Sequence, residues 1–188
     1  MQISENINGI DLTFETTDTL FSPRAVDKGT IAMLSAAAFS AADKALDLGC
    51  GYGVVGIYAA KLIGEQNVVM SDVDAACLEL SRRNAAQNGV GGIRIYRSDG
   101  FADIPESGFT LILINPPYQV DFSVPKHFIE KGFNRLKIGG RMMMVTKRRL
   151  WYKNKLIAIF GGVIINEIDG YYVFCAEKRG PRYANRLG

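Results

Sequence analysis

From residue 44 onward the chain alternates short runs rich in β-branched residues with longer segments whose apolar residues recur at helical spacing. The short runs predict strands at residues 44–48, 67–71, 93–97, 109–114 and 141–146. The longer segments predict helices between them at residues 54–63, 74–88 and 124–136. Strands that are almost continuously apolar, such as Leu111 to Ile114, are typical of a parallel sheet with helices on both faces. The pattern therefore predicts a doubly wound α/β fold.

Near the C-terminus, the sequence contains a pair of residues that is typical of a β-hairpin turn. Asp169 and Gly170 separate two further candidate strands, 162–168 and 171–177. An Asp-Gly pair between such runs is a strong sign of a tight antiparallel turn. We therefore expect a mostly parallel sheet of seven strands that ends in an antiparallel C-terminal hairpin.

The length of 188 residues suits one domain, so we expect the chain to fold as a single unit. We divide it into a cap, a main α/β part and a basic tail, at residues 1–43, 44–178 and 179–188. The cap should contain a helix near residues 29–39. The longest charge-free apolar stretch, residues 29–42, is shorter than the roughly 20 residues of a membrane-spanning helix. The N-terminus also lacks the pattern of a secretory signal, and we expect a cytoplasmic protein that contacts no membrane.

The scarcity of metal-binding side chains argues against a metal centre. Cys50, Cys77 and Cys175 lie far apart without a C-x-x-C pair, and His127 is the single histidine. We expect no metal, and we expect the three thiols to behave as small apolar side chains. His127 falls in a candidate helix, where we expect a surface or capping role.

The sequence DLGCGYG, residues 47–53, joins the first predicted strand to the first long helix. Glycines in such a turn let the backbone approach a ligand closely. Gly51, Gly53 and Gly56 fit the dinucleotide-binding spacing G-x-G-x-x-G, and Asp72 follows Gly53 by 19 residues at the end of the next strand. An acid at that place can accept hydrogen bonds from ribose hydroxyls. We therefore expect an adenosine-containing cofactor.

Asp47 distinguishes between two such cofactors. Its carboxylate lies just before the glycines, where it would repel the pyrophosphate of a nicotinamide dinucleotide. S-Adenosylmethionine carries instead an ammonium and a sulfonium group, which a nearby carboxylate attracts. Asp47 therefore favours S-adenosylmethionine as the cofactor, and a methyltransferase over a dehydrogenase.

A second polar turn, Asn115-Pro116-Pro117-Tyr118, follows the fourth predicted strand. The two prolines restrict their own φ angles and push Asn115 out of helical conformation, so the turn is rigid. The Asn115 amide oxygen and a backbone carbonyl can accept hydrogen bonds from an amino group and orient its lone pair toward a sulfonium methyl. Tyr118 can stack on a planar substrate. The turn thus predicts methyl transfer to an amine without a strong base.

On these two motifs the chain resembles the class I S-adenosylmethionine-dependent methyltransferases, and in particular the methyltransferase small domain family, over residues 20–178. A third segment, FSPRAVDKGT at residues 21–30, is similar to the family's N-terminal motif, which lies over the cofactor and substrate pocket. The resemblance implies a Rossmann-like fold, with residues 44–178 as the catalytic domain.

The resemblance also implies roles for individual residues. The methionine end of the cofactor would lie against Asp47, Gly49, Cys50 and Gly51. Its adenosine end would lie against Asp72, Val73, Asp99 and Gly100. The catalytic turn would consist of Asn115, Pro116 and Tyr118, with Asn115 also beside the cofactor. Substrate contacts would come from Phe21, Pro117 and Tyr118.

The C-terminal quarter is basic, although the formal net charge of the whole chain is only +3. Residues 141–188 hold ten Lys and Arg against three Asp and Glu. In the densest part, Arg148 and Arg149 lie beside Trp151, and such a mixture suits phosphates and unstacked bases. We predict that these three residues contact a nucleic acid substrate and that Lys28 contacts a substrate phosphate. A solvated charged surface remains the alternative for both.

In the family, turns of the NPPY type act on exocyclic amino nitrogens of guanine or adenine, and in a related group on the side-chain amide of a protein glutamine. We therefore expect an N-methyltransferase that acts on guanine N2 or adenine N6 in ribosomal or transfer RNA. Two alternatives stay open: a protein glutamine N5-methyltransferase, and a cofactor-binding scaffold without turnover that supports a partner methyltransferase. A structured RNA, a second copy of the chain in a homodimer, or a protein partner would complete substrate recognition.

Overall fold

The computed structural model describes residues 1–118 and 120–185, and its centre is a seven-stranded sheet in the order β5-β4-β3-β6-β7-β9-β8. Within these residues the strands are β1 (Gln2–Ile7), β2 (Ile10–Glu15), β3 (Ala45–Leu48), β4 (Val68–Asp72), β5 (Arg94–Arg97), β6 (Phe109–Ile114), β7 (Leu136–Thr146), β8 (Ile164–Ile168) and β9 (Tyr171–Glu177). The α-helices are α1 (Lys28–Ala36), α2 (Val54–Ile63), α3 (Ala75–Gln87), α4 (Ser123–Arg135) and α5 (Leu150–Phe160).

The pairing of the strands confirms the expected fold class. Strands β3 to β7 pair in parallel with their neighbours, and β9 pairs antiparallel with both β7 and β8. At the turn between β8 and β9, Asp169 and Gly170 have φ angles of 50° and 80°. Positive φ at both central residues is the requirement of a tight hairpin turn, so the Asp-Gly pair acts as the sequence predicts.

The two faces of the sheet carry separate apolar cores. Successive residues of a strand point to opposite faces, and Leu111 and Leu113 of β6 pack with α1, α2, α3 and the β1–β2 hairpin. Ile112 and Ile114 pack on the other face with α4 and α5. Helices therefore cover both faces, as the almost continuous apolar strands predict.

The cap segment, residues 1–43, differs from the expectation. It contains the β1–β2 hairpin besides the predicted helix, and that helix ends at Ala36 instead of near residue 39. The sequence carries the signal, because Asn8-Gly9 is a preferred hairpin pair and both residues have positive φ. Leu12 and Phe14 of β2 alternate with polar residues and are fully buried. The hairpin is thus part of the core.

The C-terminal half differs in two places. β7 begins at Leu136, directly after α4, and not at residue 141. The sequence prediction also lacks α5, whose buried side is formed by Tyr152, Leu156, Ile159 and Phe160. Residues 186–188 of the predicted basic tail lie outside the described residues. Across 1–118 and 120–185, every helix is too short or too polar to span a lipid bilayer.

Candidate active site

The candidate site lies at the carboxyl edge of the sheet, where the chain changes direction. β3 is flanked by β4 on one side and β6 on the other. The helix that follows β3 packs on one face of the sheet, and the helix that follows β6 packs on the opposite face. Ligands of open α/β sheets bind in the crevice at such a point. A cavity of about 730 Å³ opens there, and a small-molecule cofactor fits a cavity of this size.

This cavity brings together residues of all three sequence motifs. The predicted site residues in its wall are Phe21, Asp47, Gly49, Cys50, Gly51, Asp72, Val73, Asp99, Gly100, Asn115, Pro116, Pro117 and Tyr118. The glycine turn, the acid at the end of β4 and the Asn-Pro-Pro-Tyr turn thus line the same cavity.

The glycine turn is tied to the neighbouring strand β4. The backbone N–H groups of Gly49 and Cys50 donate to the Ser71 carbonyl at 2.9 and 2.8 Å. The N–H of Gly51 donates to Oδ2 of Asp72 at 2.9 Å. Gly49 and Gly51 have φ angles of 74° and 56°, which other residues rarely adopt, and no atom lies within 4 Å of where a Cβ would be. The turn therefore leaves open space above a backbone that Asp72 and β4 hold in place.

Asp47 is buried at the end of β3, with 4% of its surface exposed. Its Oδ2 accepts a hydrogen bond of 2.8 Å from the backbone N–H of Gly56. Burial raises the pKa of this carboxyl to about 7; the Gly56 bond opposes the rise, and the charge of Asp72 adds to it. Asp47 can therefore exchange between its neutral and charged forms near neutral pH, and a cation beside it would favour the charged form.

The side chain of Asn115 is held by two residues that the sequence analysis did not single out. Its Nδ2 donates to Oδ2 of Asp27 at 2.9 Å and to Oγ1 of Thr30 at 3.0 Å. Both amide hydrogens are thus engaged with the start of α1. The amide oxygen of Asn115 accepts no hydrogen bond within the described residues, and Asn115 lines the cavity. The side chain therefore offers an acceptor to a ligand.

Aromatic rings lie at one end of the cavity. Phe21 is 61% exposed, and its ring centroid lies 5.6 Å from that of Tyr118 at an angle of 55°. The Tyr118 hydroxyl is buried and has no hydrogen-bond partner among the described residues. Burial, followed by the charge of Asp27 and the nearby Tyr171, raises the pKa of Tyr118, so the phenol stays protonated. Tyr118 thus offers a ring and not a base.

The cavity wall contains further residues that sequence reasoning missed. Apart from Asp27 and Thr30, they are Leu20, Leu48, Tyr52, Val54, Val55, Ser71, Cys77, Ser98, Val120, Val124 and Phe128. Val124 and Phe128 lie one helical turn apart on α4, a spacing that a sequence does reveal. For Cys77 the sequence predicts only a small apolar side chain.

The cavity wall, as far as the described residues define it, leaves out four predicted substrate contacts. Lys28 is exposed at the first position of α1. Arg148 and Arg149 follow β7 and are exposed at the same edge of the sheet as Asn115. Trp151 stacks on the ring of Phe122 at 4.5 Å between centroids, so one face of its indole is already covered.

Comparison with known proteins agrees with this arrangement. Residues 11–175 match the family model of the methyltransferase small domain. A curated relative, the uncharacterized protein YbxB of Bacillus subtilis, is 32% identical over 174 residues, which are 89% of this chain and 87% of the relative. The ribosomal RNA small subunit methyltransferase C of Serratia proteamaculans is 34% identical over 182 residues, which are 94% of this chain and 52% of the relative.

Solved structures also match this chain. A T. thermophilus 16S rRNA N2 methyltransferase in complex with AdoMet and guanosine has a TM-score of 0.82 at 27% identity, and the match covers 95% of this chain and 50% of that one. TrmN from Thermus thermophilus has a TM-score of 0.64 at 26% identity, over 72% of this chain and 44% of that one. The chain thus spans about half the length of the ribosomal RNA methyltransferases it matches. It belongs to the methyltransferase small domain family, which confirms the expected class of enzyme, an S-adenosylmethionine-dependent methyltransferase.

Proposed function

We propose that this protein transfers the methyl group of S-adenosylmethionine to an exocyclic amino nitrogen, guanine N2 or adenine N6, in ribosomal or transfer RNA. The observation that carries the proposal is the orientation of Asn115. Both of its amide hydrogens are engaged with Asp27 and Thr30, so its oxygen is the group left for the substrate. An acceptor at that place suits a substrate that brings N–H hydrogens.

The wall of the cavity fits the cofactor. Asp47 supplies a buried carboxyl that a cation would ionise, and an ammonium group beside it meets this condition. Both oxygens of Asp72 are held by backbone N–H groups, of Gly51 and Asp74, at 2.9 Å. The carboxylate keeps further lone pairs for ribose hydroxyls. We assign Val73, Asp99 and Gly100 to the adenine end. S-Adenosylmethionine, when bound, supplies a methyl group on a positively charged sulfur.

The Asn-Pro-Pro-Tyr turn then orients the target nitrogen. We expect the amide oxygen of Asn115 and the carbonyl of Pro116 to accept its two hydrogens, which leaves the lone pair free to attack. These acceptors also stabilise the positive charge that develops on the nitrogen. Because the chain supplies no strong base at this turn, we expect the proton to leave to solvent after transfer.

The relatives support RNA as the substrate class. The curated relative from Serratia is named for ribosomal RNA, and the solved T. thermophilus enzyme is in complex with AdoMet and guanosine. In this protein, Arg148 and Arg149 are exposed at the edge where Asn115 lies. Phosphates close to the target base would meet these charges.

Methyl transfer to fractionated total RNA, with cofactor labelled in its methyl group, tests the proposal. Nucleoside analysis should find the label on an exocyclic nitrogen of guanosine or adenosine. Asn115→Ala should lower turnover by about 10²-fold or more and leave the affinity for S-adenosylhomocysteine nearly unchanged. Label found only in protein would contradict the RNA assignment, and label on a ring carbon or a ribose oxygen would contradict the role of the turn.

A further inference from the structure

We infer that Asp27 is a positioning residue for methyl transfer: its carboxylate orients the side-chain amide of Asn115 so that the oxygen, and not the NH₂ group, faces the target amine. The inference rests on the proposed role of Asn115 in the transfer. Asp27 lies 88 positions from Asn115 in sequence, directly before α1.

The geometry shows a single carboxylate oxygen that serves two donors. Oδ2 of Asp27 accepts the backbone N–H of Thr30 at 2.9 Å, which caps α1, and it also accepts Nδ2 of Asn115 at 2.9 Å. The second hydrogen of that amide goes to Oγ1 of Thr30 at 3.0 Å. The start of α1 and the catalytic turn are thus joined at one point.

Of the two partners, Asp27 and Thr30, only Asp27 can determine the orientation of the Asn115 amide. The oxygen and nitrogen ends of an asparagine have nearly the same shape, so packing alone does not distinguish them. The hydroxyl of Thr30 can donate or accept and would tolerate either end. An ionised Asp27 can only accept, so it binds the NH₂ end and repels the oxygen.

The consequence for the reaction follows from the substrate. If the amide were turned over, its NH₂ group would face the N–H groups of the target amine, and two donors would oppose each other. The lone pair of the target would then lose its orientation. We therefore expect loss of Asp27 to reduce turnover through Asn115.

Asp27 also caps α1, and the two roles can be separated by substitution. Serine is a good N-cap residue, so Asp27→Ser keeps the bond to Thr30 N–H, but its side chain is too short to reach Asn115. Asp27→Asn keeps a side chain that is long enough to reach Nδ2 of Asn115, but its amide oxygen is a neutral and weaker acceptor. Asp11→Ser is the matched control, because Asp11 also accepts a bond from a side-chain amide, Nδ2 of Asn6 at 2.6 Å, and lies on the β1–β2 hairpin, outside the cavity wall as the described residues define it.

The first measurement needs no substrate. In ¹H–¹⁵N spectra of the purified protein, the side-chain amide of Asn115 is the pair of signals that Asn115→Ala removes. Both of its protons should be shifted to low field and protected from exchange with water. In Asp27→Ser, one of them should move to the range of a free amide and exchange at least about tenfold faster. Unchanged signals in Asp27→Ser would overturn the inference.

The second measurement is turnover with the RNA fraction that accepts label. Asp27→Ser should lower kcat by about tenfold or more, Asp27→Asn should lie between it and the wild type, and Asp11→Ser should match the wild type. In the Asn115→Ala background, Asp27→Ser should cause no further loss, because the two residues act as a unit. Independent, multiplying losses would overturn the positioning role. Full turnover by Asn115→Ala alone would instead refute the proposed function, and with it any role of Asp27 in transfer.

Discussion

At the scale of single residues, Asp47 combines burial with a charge that, on the proposed function, the ammonium group of the cofactor would favour. A carboxyl with 4% of its surface exposed loses most of its hydration, and its pKa rises to about 7. The hydrogen bond from the Gly56 N–H compensates only in part for the lost hydration of the Asp47 carboxyl. The charged form of Asp47 is therefore unfavourable in the protein without its ligand and becomes favourable when an ammonium group lies beside it.

The cost of a buried negative charge on Asp47 predicts a pH dependence of stability, and Asp47→Asn should remove it. The raised pKa makes the folded protein bind the proton more tightly than the unfolded chain does, so the contribution of Asp47 to stability is full below its ordinary value of 3.8 and is lost as pH rises through about 7. Between pH 5 and pH 8 the wild type should lose on the order of 2 kcal/mol of unfolding free energy relative to Asp47→Asn.

Urea unfolding without cofactor at pH 5, 6, 7 and 8 measures this difference. Asp18→Asn, an exposed carboxylate in the loop after β2, controls for the loss of one negative charge. A difference between wild type and Asp47→Asn that stays constant over this range would contradict the prediction.

At the scale of elements, the N-terminal hairpin is joined to the glycine turn through one asparagine of α3. The Asn84 side chain is fully buried, and its Oδ1 accepts the N–H of Glu15 in β2 at 2.7 Å. Its Nδ2 donates to the carbonyl of Glu15 at 3.1 Å and to that of Tyr52 at 2.9 Å. Asn88, one turn later, makes the same pair of bonds to Thr13. These amides replace the neighbouring strand that the edge of β2 lacks.

Asn84→Ala should therefore be strongly destabilising. It leaves the N–H of Glu15 and two carbonyls without partners in the interior, which should lower the unfolding free energy by about 2 to 3 kcal/mol. Denaturant unfolding gives the value. Asn134→Ala, at an exposed position of α4, is the matched control and should change stability by less than about 0.5 kcal/mol. Equal losses for both variants would mean that the buried amide does not hold the hairpin.

The segment after β7 is the second element with a consequence for function. Arg148 lies over the Phe122 ring at 5.1 Å, and Phe122 stacks on Trp151. Lys155 is paired with Glu130 and is less available to a ligand. On the proposed function, the exposed charges directly after β7, Arg148 and Arg149 among them, are candidates for contact with RNA phosphates.

Replacing Arg148 and Arg149 together with Ala should weaken binding of a single-stranded RNA oligonucleotide and reduce its salt dependence. The slope of log affinity against log salt should shrink by roughly one to two units, because each phosphate contact on a single strand contributes about 0.7. Affinity for S-adenosylhomocysteine should stay the same. The double variant Lys61→Ala and Lys137→Ala removes equal charge at the end of α2 and the start of β7, on the opposite edge. An equal loss of slope in that variant would show a general charge effect.

The sequence predicts the elements that repeat a pattern and misses those that depend on distant contacts. The parallel strands and the acids at their ends follow from local spacing, so the cofactor half of the candidate site is predictable. The helix α5 was within reach of the sequence, because Tyr152, Leu156, Ile159 and Phe160 follow the i, i+4, i+7, i+8 spacing of an amphipathic helix. The β1–β2 hairpin has its Asn-Gly turn signal, but β1 is mostly polar and resembles a loop.

The side-chain contacts of Asp27 and Asn84 could not be predicted from the sequence. The sequence predicts Asp27 to be an ordinary helix cap and Asn84 to be a polar residue on the surface of a helix. Their function arises from partners 88 and 69 positions away in sequence. Local propensity carries no information on such pairs, which depend on how α1, α3 and the hairpin pack on the sheet.

At the scale of the whole molecule, the cavity draws on both faces of the sheet. Val54 and Val55 of α2 come from one face, and Val124 and Phe128 of α4 come from the other. The N-terminal segment adds Asp27. A ligand in this crevice therefore contacts helices from both faces of the sheet, and it should stabilise the fold as a whole.

The bond between Asn84 and Tyr52 extends this coupling to a strand that does not touch the ligand. Among the described residues, none of β2 belongs to the cavity wall, whereas Tyr52 does. A ligand that keeps the glycine turn closed should also keep Asn84 in place, and with it the Glu15 amide. S-Adenosylhomocysteine should therefore slow deuterium uptake at Glu15 by about tenfold or more in the wild type, and the effect should vanish in Asn84→Ala. Equal protection of Glu15 in both proteins would show that Asn84 does not couple the glycine turn to the hairpin. Protection in the wild type alone would show that exchange in the hairpin depends on whether the cofactor is bound.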